Sequence, residues 1–316
     1  MNNCFVTCKD AHEEATDNQW IITRRDFLKS TGIATAGICA GLPLNELFAN
    51  ESKAKTRFGI VTDSHYTDRS HGGSRYYRES VDKMAECVEF MNKEKVDFLI
   101  EIGDFKDQRK SPDEKTTIKD LEKIENIYAQ FNGPRYHVLG NHDMDSISKE
   151  QFLTRVENTR IPEKHNYFAF QKQGVDFVVL DANYTSGGKN YDHGNFGWTD
   201  ANIPPEELDW LKEKLASTTN PVIVFVHQLL DGEGKHYVEN AKTVRQILQS
   251  NNNVLAVFQG HNHGGDYSHK KNIHYYTLKA MVEGSGVENN SYAIVDVHDT
   301  GDVVVTGFRK AVSKQL

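Results

Sequence analysis

Apolar residues recur along this chain in two alternating rhythms. Short β-rich runs occupy Arg57–Thr62, Val96–Ile102 and Arg135–Leu139. Between them, apolar residues fall three and four apart: at 77, 81, 84, 88 and 91 within Ser74–Lys95, then at Ile118, Leu121, Ile124, Tyr128 and Phe131 within Asp113–Phe131. That spacing gives a helix one apolar face. A strand–helix–strand–helix–strand order predicts right-handed crossovers and a largely parallel sheet. In the second half, Tyr167–Phe170 and Val175–Leu180 flank Lys172–Gly174 and predict a hairpin. Helices are expected over Pro205–Ala216 and Glu239–Gln249. Further strands are expected over Val222–Val226, Val254–Gln259, Ile273–Leu278, Tyr292–Val297 and Val303–Phe308. No repeat or linker divides these elements. The expectation is an α/β fold over residues 50–316: a four-layer α/β/β/α sandwich, with two mixed sheets face to face and helices outside.

Polar residues gather where the strands stop. Asp63 and His65 end the first run; Asp104 and Asp107 follow the second; Asn141, His142 and Asp143 follow the third. His227 ends Val222–Val226, and His261 and His263 follow Val254–Gln259. Side chains at strand ends can line a crevice without disturbing the core. One such cluster is an ordinary turn, whereas five together among 14 histidines are more than surface decoration. Carboxylates, an amide and imidazoles without thiolates suit Mn²⁺, Fe²⁺ or Zn²⁺ rather than a structural zinc site. Two such ions ~3.5–4 Å apart can clamp a phosphoryl group and generate hydroxide at neutral pH.

Composition adds a leader and removes some partners. The chain has 316 residues, and its net charge of −8 gives no basic face for a sequence-independent grip on nucleic acid. Residues 1–49 contain Arg24-Arg25, a weakly apolar run Ser30–Leu44, and Leu47-Phe48-Ala49. The run is too short to span a bilayer, which takes ~20 apolar residues. The expectation is a twin-arginine export signal cut after Ala49, with the translocase as partner, a periplasmic or secreted destination and no stable membrane anchor. The leader holds four Lys/Arg and six Asp/Glu, so its removal takes the charge from −8 to −6. Three of the four cysteines leave with it. Cys87 remains on the helical face of Met84, Val88 and Met91 as a core residue.

The blocks Asp63-Ser64-His65, Gly103-Asp104-Phe105-Lys106-Asp107, Gly140-Asn141-His142-Asp143, Val226-His227 and Gly260-His261-Asn262-His263 together resemble those of the calcineurin-like metallophosphoesterases. The resemblance implies a dinuclear phosphoesterase in which Asp63, His65 and His263 bind one metal. Asn141, His227 and His261 bind the other, and Asp104 bridges them. His142 faces the leaving group, with Asp143 orienting its imidazole. Arg75-Tyr76-Tyr77-Arg78 and Gly264-Gly265-Asp266-Tyr267-Ser268 are similar to the manganese-dependent ADP-ribose/CDP-alcohol diphosphatase branch. Those enzymes carry Gln where His65 stands and Glu where Asp143 stands. Two divalent ions, Mn favoured over Fe or Zn, are the implied cofactors. A small phosphorylated molecule, a nucleotide derivative among the options, is the implied substrate.

Outside the blocks, Arg75 and Arg78 are candidates to grip a second phosphate; the bland reading makes them solvated positions on the helix Ser74–Lys95. The loop Asn183–Pro204 is long for a connection and carries Tyr184, Tyr191, Phe196 and Trp198. Such loops are often lids or binding loops, and its aromatics fit base stacking or packing equally well. Two other functions use the same fold. A non-catalytic binding protein predicts damaged blocks, and all seven ligand positions are intact. A nuclease of the superfamily wants a basic track.

Overall fold

A computed structural model describes residues 54–316; the expected export signal lies outside the described residues. Strand β1 (Ala54–Val61) leads through a one-turn 3₁₀ helix (Tyr77–Glu79) into α1 (Ser80–Glu94). Strand β2 (Phe98–Glu101), α2 (Glu114–Tyr128) and β3 (Arg135–His137) follow, then the 3₁₀ turn Asn141–Met144 and α3 (Lys149–Leu153). The second half runs β4 (Phe168–Lys172), β5 (Val175–Val179), α4 (Pro205–Ala216), β6 (Val222–Phe225), α5 (Ala241–Gln249) and β7 (Val254–Gln259). Strands β8 (Asp266–Lys270), β9 (Ile273–Thr277), β10 (Ser291–His298), β11 (Val303–Arg309) and β12 (Lys314–Gln315) complete it.

The strands form two six-stranded sheets, ordered β12-β11-β10-β1-β2-β3 and β4-β5-β6-β7-β9-β8. The first has parallel β1-β2-β3 and antiparallel β10-β11-β12; the second has four central parallel strands with β4 and β8 antiparallel at its edges. Both are mixed sheets. They meet through a buried layer that includes Phe58, Phe98, Phe177, Phe225 and Phe258. Phe58 stacks on Phe98 at 4.8 Å and meets Phe177 edge-on at 5.4 Å across the gap. Each such ring buried contributes about 1.5–3 kcal/mol. Residues of α1 and α2 pack with the outer face of the first sheet, and those of α4 and α5 with that of the second. The four-layer sandwich is therefore the fold.

The helices follow their patterns, with ends set locally. Asp113 caps α2 by accepting from the Thr116 N–H at 3.0 Å, and Pro205 occupies the first position of α4. The first helix departs from expectation. It starts at Ser80 rather than Ser74, because Arg75 and Tyr76 are paired elsewhere: Arg75 bridges to Gly72 and Glu283, and Tyr76 donates to the Val282 carbonyl. Strand β8 carries almost no apolar pattern, being an exposed polar edge paired only with β9. Cys87 is fully buried on α1, as its neighbours implied.

Candidate metal centre

The strand-end residues converge. Asp63 and His65 follow β1, Asp104 follows β2 and Asn141 follows β3; His227 follows β6, and His261 and His263 follow β7. The first sheet thus supplies four of the expected ligands and the second supplies three. Four of these residues hold left-handed backbone: Asp63 (φ 52°), His65 (45°), Asp104 (55°) and His261 (64°). Glycine permits the close approach of neighbouring turns. A Cβ on Gly140 would sit 2.0 Å from the Asp104 nitrogen, and one on Gly260 would sit 2.2 Å from Thr62 Oγ1.

Four groups of donor atoms lie close enough to hold an ion: Asp63–His65–His263 and Asp104–His227–His261, with His65–Asp104–His142 and Asp107–His142–Asp145 beside them. Asp104 lies between the first two. Its Oδ1 accepts the His142 N–H at 2.8 Å, while its Oδ2 lies 3.4 Å from His65 Nε2 and 3.1 Å from His227 Nε2. Asp63 divides its oxygens similarly, with Oδ2 taking the Thr62 hydroxyl at 2.7 Å and the His261 N–H at 3.1 Å. Its Oδ1 is left without a hydrogen bond, as are Asn141 Oδ1, His227 Nε2 and His261 Nε2, all of them buried. Buried polar atoms are nearly always partnered. Four donor atoms without a hydrogen bond, of which His227 Nε2 and Asp63 Oδ1 have only ion-pair contacts with other members of the cluster, fit a cation.

Outer partners aim the imidazoles. His65 Nδ1 is 3.1 Å from Asp107, His227 Nδ1 is 2.8 Å from the Ile102 carbonyl, and His263 Nδ1 is 2.6 Å from Glu283. Each oxygen engages Nδ1 and leaves Nε2 toward the crevice, the arrangement that fixes the tautomer of a metal-ligating histidine. The charges reinforce one another. Against the cost of burial, the surrounding imidazoles hold the Asp63 and Asp104 carboxyls well below the usual carboxylate range. Burial and then His227 push His261 down to about 3, which leaves it a neutral donor. His227 is raised to about 10 despite burial, chiefly by Asp104.

Two expectations need correction. Asp143 does not orient His142. Its carboxylate accepts from the N–H groups of Phe105, Lys106 and Gly140, tying the turns after β2 and β3 together. The carboxylate on His142 is Asp145, with Oδ2 at 2.6 Å from Nδ1. Spacing explains the exchange: residues three apart share a face of a 3₁₀ turn, and adjacent ones do not. Arg78 lies outside the centre, exposed and paired with Asp68 at 2.6 Å. Arg75 stays beside it, 3.9 Å from the Glu283 that partners His263.

The loop Asn183–Pro204 uses most of its aromatics for packing. Tyr191 is buried and stacks on Phe196 at 3.7 Å, and Lys149 sits 3.9 Å over the Tyr184 ring. Trp198 does otherwise. It is 42% exposed, with its ring 5.7 Å from that of His261 and 5.3 Å from that of His236. Glu283, Asp145 and His236 were missed in the sequence because each lies outside the strand-end blocks.

Two sandwiched sheets that place these donors at their joined ends make this chain a metal-dependent hydrolase of phosphoric esters. It belongs to the calcineurin-like phosphoesterase family, which it matches over residues 56–265. Among curated relatives, the manganese-dependent ADP-ribose/CDP-alcohol diphosphatase of Arabidopsis thaliana is 26% identical over 296 residues, covering 77% of this chain and 91% of that protein. The protein of the same name from Oryza sativa is 25% identical, covering 72% and 83%. A dimetal phosphatase from Danio rerio shares the fold with a TM-score of 0.73 at 18% identity, over 83% of this chain and 99% of that one.

Proposed function

We propose that this chain is an exported, manganese-dependent diphosphatase acting on small nucleotide-linked diphosphates. The observation that carries the catalytic part is Asp104 Oδ2, set between two donor groups whose buried atoms Asp63 Oδ1, Asn141 Oδ1, His227 Nε2 and His261 Nε2 have no hydrogen bond. Asp63, His65 and His263 would hold one ion, Asn141, His227 and His261 a second, and Asp104 both. Bound divalent ions would supply Lewis-acid polarisation of phosphoryl oxygens and an activated water. His142, 28% exposed at its side chain, gives its proton to the departing oxygen.

The substrate reading draws on the relatives' names and on two flanks of the centre. Arg75 borders the His263 side through Glu283. Trp198, partly exposed, borders the His261 side, and Lys235 stands 5.9 Å over its ring. A diphosphate at the metals, with its base against Trp198, would use both, and a stacked pair is worth about 0.5–1.5 kcal/mol. Purified protein should bind close to two Mn²⁺ ions and lose activity to a chelator. It should release more product from ADP-ribose or CDP-choline than from an aryl phosphate, cyclic nucleotides or single-stranded DNA. No bound metal would remove the catalytic reading, and a preference for DNA would replace the substrate reading with a nuclease. For export, replacing Arg24 and Arg25 together by Lys should retain the protein in the cytoplasm. Unchanged secretion would contradict the leader.

A further inference from the structure

We propose that Asn183, the first residue of the long loop, is a positioning residue that sets Asn141 and His227 against one another across the joint between the sheets. This rests on the reading in which those two residues and His261 hold the second ion. Asn141 follows β3 in the first sheet and His227 follows β6 in the second, so no ladder of backbone hydrogen bonds fixes their separation. Strand β3 is also the outermost of its sheet and pairs with β2 alone. The turn that carries Asn141 therefore has a strand to lean on from one side only.

Asn183 supplies the other side. It is fully buried, and its Nδ2 donates to the Leu139 carbonyl at 2.7 Å, two residues before Asn141. Its Oδ1 accepts from Gln228 Nε2 at 2.7 Å, and Gln228 directly follows His227. One planar amide thus grips both turns, with a donor for one and an acceptor for the other. The amide is itself held. Asp181 Oδ1 accepts from Asn183 Nδ2 at 2.8 Å and from its backbone N–H at 2.9 Å. The other oxygen of Asp181 accepts from Lys149 at 2.5 Å and from Asn166 at 2.7 Å. The Asn183 carbonyl takes the Tyr191 N–H at 3.0 Å and Lys149 Nζ at 3.2 Å. Every polar group of the residue is engaged, so the side chain has one orientation open to it. Asp at this position would lack the donor for Leu139, and Leu would lack both contacts. Asn183 acts on the ligands through the backbone of their turns, as an outer partner does.

The test titrates Mn²⁺ into wild type, Asn183→Leu, Gln228→Met and Asn141→Ala by calorimetry, with electron paramagnetic resonance of each loaded protein. Asn183→Leu keeps the volume and removes both grips, whereas Gln228→Met removes only the one beside His227. Loss of an outer partner costs roughly 10–100-fold in metal affinity. Asn183→Leu should weaken one of the two ions by that factor and leave the other near its wild-type affinity. The signal of a coupled ion pair should then give way to that of isolated Mn²⁺, as it does in Asn141→Ala. Gln228→Met should weaken the same ion by a smaller factor. Equal weakening of both ions, or wild-type affinities in both variants, would overturn the role of Asn183, since a merely structural part would not separate the two ions. Where Asn183→Leu does not fold, Gln228→Met decides: its two affinities must move apart, and unmoved affinities overturn the proposal. If wild type itself takes up fewer than two ions, the two-ion reading is what fails, and the role of Asn183 falls with it.

Discussion

Asp143 accepts three backbone N–H groups, from Phe105, Lys106 and Gly140, at 3.0, 3.2 and 2.8 Å. All are buried, and a buried donor left unpaired costs about 1–3 kcal/mol. Asp143→Ala should therefore cost at least about 3 kcal/mol of stability in chemical denaturation, and it should weaken Mn²⁺ binding by loosening the turn that carries Asp104. A stability change under about 1 kcal/mol would show that these bonds carry little. The contrast with Asp145 marks what a sequence discloses at this scale. Asp63, His65, Asp104, Asn141, His227, His261 and His263 could be picked out because each follows an apolar run that ends abruptly. Asp143 and Asp145 are the same residue type in the same turn, and only the turn's rotation decides which one meets His142. His236 was equally hidden, and the sequence did not single out Trp198 from the other aromatics of its loop, since their place beside His261 depends on how two loops fold over the strand ends.

Among the elements, strand β3 and helix α2 enclose a buried trio. His137, on β3, lies between Glu125 of α2 at 3.0 Å and Glu101 of β2 at 3.7 Å. Burial works against the imidazolium, but the carboxylates of Glu125 and Glu101 raise His137 to about 9. The folded protein thus holds a proton on His137 that the unfolded chain releases at lower pH. The stabilisation from His137 is full below about 6.5, the free histidine value, and is lost as the pH rises toward 9. His137→Gln should destabilise by about 3 kcal/mol at pH 6, and the gap to wild type should narrow by pH 9. A gap that widens with pH would refute the pairing. Element boundaries were readable wherever the apolar rhythm was strong, as for α4, which runs Pro205–Ala216 as expected. They failed where pairing partners were distant in sequence. The segment Arg75–Tyr76 is drawn out of the helical pattern by Val282 and Glu283, and β8 is a strand only because β9 offers it an edge.

At the scale of the whole molecule, the centre is shared between sheets. The first contributes Asp63, His65, Asp104 and Asn141, and the second His227, His261 and His263, so binding a cation also ties one sheet to the other. A ligand that binds only the folded protein stabilises it by RT ln(1 + [L]/Kd), about 2.7 kcal/mol at a hundredfold excess over Kd. Saturating Mn²⁺ should raise the unfolding temperature by several degrees, and Asp104→Asn should abolish most of that rise. An equal rise in the variant would mean that the ion binds elsewhere. The sandwich itself was legible because two stretches of alternating elements with no linker need a common core. The division of the ligands between its layers follows from that core.

The left-handed backbone at Asp63, His65, Asp104 and His261 reaches further than the geometry of one site. Among residues with a Cβ, Asn, Asp and His enter that region several-fold more readily than others, and β-branched or bulky ones rarely do. The same three types supply every expected ligand here. The conformation of the turns thus narrows the vocabulary from which ligands can be drawn before any metal exerts a preference. At those four positions a redesign toward a different ion must therefore either stay within those three words or rebuild the turns first, whereas Asn141, His227 and His263 carry no such restriction.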